Sequence, residues 1–258
     1  MDMKLMPAVF VGHGSPMNVI EDNGFVRGWK EMAAELPRPE AILAVSAHWY
    51  TDGTRVMTNE WPRTIHDFYG FPEELYRIRY PAPGAPQLAA EAIRLLDGAA
   101  APDGSWGLDH GTWAVLRSLY PAADVPVFQV SVDYGAPAAA HYALGEKLKE
   151  LRSRGVMIFG SGNVVHNLGL LDYSRKGGFD WAGEFDDYVA GCIGAGDAAG
   201  AIGYAGLGRA AALAVPTPDH YFPLLYVLGA RDAGDGLRVY NRECVMGSVS
   251  MTSYVFAR

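Results

Sequence analysis

Short apolar runs alternate along the chain with stretches whose apolar positions recur at helical spacing. Residues 41–47 read Ala-Ile-Leu-Ala-Val-Ser-Ala, an almost continuous apolar run that follows prolines at 37 and 39. Such a run marks a strand buried on both faces, as in a parallel sheet. Residues 8–11, 125–132 and 156–159 read the same way. Helical periodicity covers about 25–35, 86–96, 111–120, 137–154, 178–193 and 221–228. Residues 51–84, rich in Pro, Gly and aromatics, read as an edge strand followed by a long ordered loop. Thr217-Pro218-Asp219 carries the signature of a helix start, with a capping hydroxyl, Pro at the first helical position and an acid in the first turn. Residues 237–245 and 248–256 alternate around Met246-Gly247, which predicts an antiparallel hairpin. Strands alternating with helices, closed by a hairpin, make an α/β fold: one domain over residues 1–258, with a central mixed sheet flanked by helices.

Composition narrows the classes. Half of the 258 residues are hydrophobic and 19% are charged, a balance that leaves little room for disorder. The net charge is −8, and no run of Lys or Arg exceeds two residues. Binding a phosphate backbone needs a basic stripe, so nucleic acid is not an expected partner. The apolar runs are too short to span a bilayer. The first seven residues lead into a strand with no apolar h-region, so no secretory signal is expected and the expected location is the cytoplasm. With two cysteines, Cys192 and Cys244, neither a disulfide framework nor a Cys-based zinc cluster can form.

Seven histidines carry the candidate chemistry. His13 and His48 each stand just past the end of a predicted buried strand, and His166 follows the loop after a third. His220 lies in the first turn of a predicted helix. In open α/β sheets ligands bind in the crevice beyond the carboxyl ends of the strands. Four imidazoles therefore reach one sheet edge by four different connections, and neutral imidazole suits Fe, Zn, Cu and Ni. His141, inside an amphipathic helix, reads as structural. Other motifs fail: no HExxH occurs, no serine stands in G-x-S-x-G, and no Lys follows Gly12-His13-Gly14-Ser15 to make a P-loop. The Gly-x-Gly-x-x-Ala strings at 194–199 and 206–211 follow no strand, which argues against a dinucleotide site. The aromatics between Trp61 and Tyr80 either form a pocket for a planar ligand or pack a long loop onto the core.

Seven motifs occur in order. They are Gly12-His13-Gly14-Ser15-Pro16-Met17, Ser46-Ala47-His48-Trp49, Thr64-Ile65-His66-Asp67-Phe68-Tyr69-Gly70-Phe71-Pro72 and Tyr80-Pro81-Ala82-Pro83-Gly84, then Gly107-Leu108-Asp109-His110-Gly111, Gly160-Ser161-Gly162-Asn163-Val164-Val165-His166-Asn167 and Thr217-Pro218-Asp219-His220-Tyr221. Together they resemble the 4,5-DOPA extradiol dioxygenases, within the class III (LigB-like) ring-cleaving dioxygenases. The resemblance runs from about residue 7 to 253, and only 194–215 match poorly.

That resemblance implies a mononuclear non-haem metal site at the C-terminal ends of the strands, holding Fe(II) for turnover and often Zn(II) as isolated. The implied substrate is a catechol, L-DOPA or a relative, opened with O2 to a seco-DOPA-type semialdehyde. By the same resemblance His13, His48 and His220 match metal ligands, and His166 matches a fourth ligand or an acid/base. His110 matches the other acid/base, and Ser15 and His66 match substrate contacts. Two departures stand out. The wider class pairs two His with a carboxylate on the metal, whereas here the third position is His220 with Asp219 beside it; and His66 stands where plant relatives carry Tyr. Two other readings remain: a zinc-dependent hydrolase on the same scaffold, which would consume no oxygen, and a metal-binding protein without turnover, which would have no use for His110 and His166.

Overall fold

A computed structural model describes residues 5–258. In chain order the elements begin with strand β1 (Ala8–Gly12), helix α1 (Gly24–Glu35), strands β2 (Ala41–Thr51) and β3 (Thr54–Met57), and helices α2 (Glu73–Arg77) and α3 (Pro86–Leu96). Strand β4 (Ala100–Asp103), helix α4 (His110–Leu119), strand β5 (Val127–Asp133), helix α5 (Ala138–Leu148) and strand β6 (Val156–Gly162) follow. Helices α6 (Asp180–Ala195), α7 (Ala198–Ile202), α8 (Arg209–Ala214) and α9 (Phe222–Ala230) precede strands β7 (Gly236–Tyr240), β8 (Cys244–Val245), β9 (Val249–Ser250) and β10 (Ser253–Ala257).

Eight strands form one sheet in the order β4-β3-β5-β2-β6-β1-β10-β7. Its centre, β5-β2-β6-β1, is parallel; β10 and β7 add antiparallel to one side, and β3 meets β5 antiparallel on the other. The mixed sheet flanked by helices is the expected architecture. The four central strands are the apolar runs of the sequence, and their residues are buried almost without exception. α9 is apolar on every side and buried along its whole length, packed on α5 and on β6.

Several elements depart from the pattern-based expectation. β2 does not stop before His48 but runs to Thr51. A register irregularity between Val45 and Tyr50 lets it resume pairing with β5 at Tyr50–Val132, so His48 lies in the strand and not past its end. β3 is not an edge, because β4 covers it; the sequence of β4, Ala-Ala-Pro-Asp, carries no strand signal, and its Pro is tolerated on the outer strand. The 137–154 helix ends at Leu148 and tightens into a 3-10 turn over Lys149–Arg154. The Ala/Gly-rich stretch holds α7 and α8. Thr217 makes no side-chain cap, and a 3-10 turn, Pro218–His220, precedes α9. The C-terminal hairpin forms as β7 with β10, with β8 and β9 as a separate two-stranded tip. Met246 (φ 49°) and Gly247 (φ 78°) at that tip both adopt the positive φ of a type I′ turn. Residues 1–4 lie outside the described residues, and with them most of the segment read as lacking a signal peptide. No described helix is long and apolar enough to cross a membrane.

Candidate active site

The C-terminal ends of β1, β2 and β6 bring the histidines together. β1 stops at Gly12, and His13 is the next residue, buried. Its Nδ1 lies 3.0 Å from Ser161 Oγ on β6, and that hydroxyl donates its one proton to the Gly111 carbonyl. Ser161 Oγ therefore offers His13 only lone pairs, so the imidazole carries its proton on Nδ1 and turns a bare Nε2 into the site. His48 Nδ1 lies 3.0 Å from Asp67 Oδ2, which fixes the same tautomer. His220 Nδ1 is held by the neighbouring Asp219 carboxylate, and His220 Nε2 is buried with no partner.

The rings of His13, His48 and His220 thus stand together. Their ring centroids are 5.0, 5.1 and 5.2 Å apart, nearly an equilateral triangle. His13 Nε2 and His48 Nε2 stand 3.2 Å apart, within the roughly 3.0–3.4 Å that metal–nitrogen bonds of about 2.1 Å impose on neighbouring ligands. Two nitrogens at that distance share either a proton or a metal cation. The residues fit a metal ion, and an imidazole set with carboxylates behind it suits Fe(II) or Zn(II).

Two more imidazoles flank the triangle. His110 opens α4, its ring 3.9 Å from that of His48, and His166 stacks on His220 with centroids 3.4 Å apart and planes 9° from parallel. Potential ligand atoms fall into two close sets, His13-His48-His110 and His166-Asp219-His220. The five histidines matched to ligand or acid/base roles therefore meet at one place, and His66, the sixth singled out from the sequence, does not join them.

Close approach of two backbones makes this possible. A Cβ on Gly162 would lie 2.1 Å from the His220 carbonyl, so only glycine lets the Pro218–His220 turn settle on the end of β6, where Asn163 N donates to that carbonyl. Likewise a Cβ on Gly111 would meet Ser46 Oγ at 2.5 Å and the His48 ring at 2.8 Å, so glycine admits the start of α4 against β2.

Electrostatics keep most of these rings neutral. Burial, and then the neighbouring imidazoles, push the pKa of His13 and of His220 well below the ordinary value. Burial brings His166 down to about 4 against the pull of Asp219. His110 is lowered by burial and by His48, with Asp67 opposing. For His48 burial is again the largest effect, but Asp67, Asp109 and Asp219 outweigh it and its pKa is raised. Asp67 itself, which burial would raise, is held far below the carboxylate range by His110 and His48.

Asp67 is a candidate functional residue that sequence reasoning missed. Its Oδ1 lies 3.0 Å from His110 Nδ1 and accepts the His110 backbone N–H at 2.9 Å, while Oδ2 faces His48. The side-chain approaches to the two rings are charge contacts more than well-directed hydrogen bonds. One carboxylate thus ties a candidate ligand to a candidate acid/base. The only sequence signal was its place in the His66-Asp67-Phe68 motif. Asp109, also buried, caps α4 through Thr112 N and accepts from Ser46 Oγ (2.6 Å) and Gln129 Nε2 (3.1 Å), bracing the wall behind His48.

The histidines open into a cavity of about 510 Å³, which Ser15 also lines. Ser15 Oγ accepts from Met17 N and caps the turn that follows. His66 is not in the lining: its Nε2 donates to the Ile78 carbonyl at 3.0 Å and its ring packs edge-on against Phe68. His141 lies apart as expected, its Nδ1 3.3 Å from Tyr226 Oη.

Comparison with known proteins bears on what this arrangement does. Residues 7–256 match the family model of the catalytic LigB subunit of aromatic ring-opening dioxygenase. The chain belongs to the LigB family. Among its relatives is the 4,5-DOPA dioxygenase extradiol of Escherichia coli K12, 46% identical over 96% of this chain and 93% of that protein. The Beta vulgaris protein of the same name is 36% identical over 96% and 95%. The crystal structure of an uncharacterized protein from Escherichia coli K12 superposes with a TM-score of 0.84 at 41% identity, covering 97% of this chain and 99% of that one. As a LigB-family member the chain is an enzyme, an extradiol ring-cleavage dioxygenase, and the hydrolase reading is not favoured.

Proposed function

We propose that this enzyme is metal-dependent and opens a catechol ring with O2 at one mononuclear centre, His13, His48 and His220 being the ligands. The observation that supports the reading is the close triangle of the His13, His48 and His220 rings lining one cavity, with two further imidazoles beside them. Fe(II), or Zn(II) in the resting protein, would supply the Lewis acidity that lowers the pKa of a bound catechol hydroxyl and, for iron, the electrons shared with O2.

The chain supplies position and protons. The apolar walls exclude water and hold the ring flat above the imidazoles. A catechol hydroxyl must lose a proton to bind, and His110, which lines the cavity with Asp67 3.0 Å from its Nδ1, is one acceptor. His166, kept neutral beside His220, is the second acceptor within reach. One of the two accepts the hydroxyl proton and the other returns a proton when the ring opens to the semialdehyde. Two free thiols, Cys192 and Cys244, accord with a reducing, cytoplasmic setting.

Loading the protein anaerobically with Fe(II) and following oxygen uptake over a panel of catechols, L-DOPA among them, tests the proposal. Uptake with one O2 consumed per ring opened is expected. Turnover of esters or amides without oxygen uptake would instead establish the hydrolase.

A further inference from the structure

His166 is carried by a short rail of main chain. It faces Val249 across a single antiparallel bridge, and two main-chain hydrogen bonds flank the pair. Ser250 N donates to the Val165 carbonyl at 2.9 Å, and Asn167 N donates to the Ser248 carbonyl at 3.0 Å. Ser248 Oγ adds a bond to the Asn167 carbonyl at 2.8 Å. Successive side chains of an extended segment point to opposite faces. Val249 accordingly lines the cavity with His166, whereas Ser250 is absent from the lining and its hydroxyl donates to Asp186 Oδ1. Two residues on, Thr252 Oγ1 donates to Asp186 Oδ2 at 3.0 Å.

Asp186 belongs to α6; it is buried and does not line the cavity of the histidines. Burial raises its pKa, with the two hydroxyls and Arg242 opposing. A carboxylate withdrawn from water is costly unless it is bonded, and both oxygens of this one bond the segment that seats His166. From the opposite side Asn163 Nδ2, just past the end of β6, donates to the Ser250 carbonyl at 2.7 Å. Ser250 is thus held between β6 and α6, and its place sets that of His166.

We propose that Asp186 is a positioning residue of the active site, fixing the placement of His166 from outside the cavity through the Ser250 hydroxyl. The proposal rests on the acid/base reading of His166 above and adds the group that keeps its ring stacked on His220, centroids 3.4 Å apart. Without the carboxylate, Ser250 and Thr252 lose their hold on α6, and the rail shifts with His166 on it. Misplacement of a reacting group by about 1 Å can cost roughly 10²-fold in rate.

The test uses full-length Asp186→Asn and the smaller change Ser250→Ala, each also combined with His166→Gln. Histidine ring NMR before metal is added reads placement directly, with the His166 signals identified by their loss in His166→Gln. In both single variants the His166 signals should move while those of the distant His141 stay. With Fe(II) loaded, kcat for oxygen uptake with catechol should fall roughly 10- to 100-fold, and KM should stay within threefold. In the His166→Gln background the same two changes should alter kcat less than twofold, because a residue acting through His166 has nothing left to act on. Unmoved His166 signals, or an equal loss of kcat with and without His166, overturn the proposal. Moved signals together with parent-level turnover in His166→Gln uphold the positioning and overturn the acid/base reading of His166 instead.

Discussion

Replacing Asp67 by Asn isolates the link between the candidate ligand His48 and the candidate acid/base His110. The amide keeps a carbonyl oxygen that can accept the His110 backbone N–H, so α4 retains its start. Its NH2, however, now faces an Nδ1–H where the carboxylate presented a lone pair, 3.0 Å away. One of the two rings must shift its proton to Nε2, and for His48 that removes the lone pair aimed at the metal. Losing a charged partner behind a metal ligand costs roughly 10–100-fold in affinity or activity, about 1.4–2.7 kcal/mol, so metal affinity should weaken about 10- to 100-fold with the fold preserved. Chelator competition measures that affinity, and circular dichroism checks the fold. Histidine ring NMR in the metal-free protein supplies a readout that a merely structural role would not move. With the carboxylate gone, only Asp109 and Asp219 oppose burial at His48, and its pKa should fall. Metal affinity and turnover within threefold of the parent protein, with the His48 titration unmoved, would refute the assignment of Asp67.

His13→Ala and His48→Ala should each purify with little metal, measured by elemental analysis; full occupancy in both would remove them as ligands. His110→Ala should keep its metal and still bind catechol while single-turnover oxygen uptake slows by roughly 10²–10⁴-fold, the usual contribution of general acid–base catalysis. Loss of metal in that variant would make His110 a ligand instead. His141, away from the site, governs an acid-side stability slope. Burial lowers its pKa to about 4 from an ordinary 6.5, so between those values the unfolded chain binds a proton that the folded one refuses. Stability therefore falls as pH drops through that window, by about 3 kcal/mol from this group. Urea unfolding of metal-free His141→Gln at pH 7 and pH 4.5 should show a smaller difference than the parent protein shows.

The local pattern of the chain determined its central strands, most of its helices and four of the five histidines of the site, the fifth, His110, coming from the family resemblance alone. A strand buried on both faces must be apolar throughout, as 41–47 and 156–159 are, and a helix such as α9, buried on every side, leaves an equally plain trace. What stayed illegible depends on partners distant in sequence. β4 is a strand only because β3 lies beside it, and β2 continues past His48 only because β5 receives it again at Tyr50. The same holds for the chemistry. Asp67 is 19 residues from His48 and 43 from His110, so no spacing rule could join them, and His66, its neighbour in the chain, turns away to Ile78. Periodicity reports which face of an element is buried, because burial is repeated at every turn or pleat. The direction of a single imidazole, and the atom that holds its proton, come from one contact made once, and only the assembled tertiary structure supplies it.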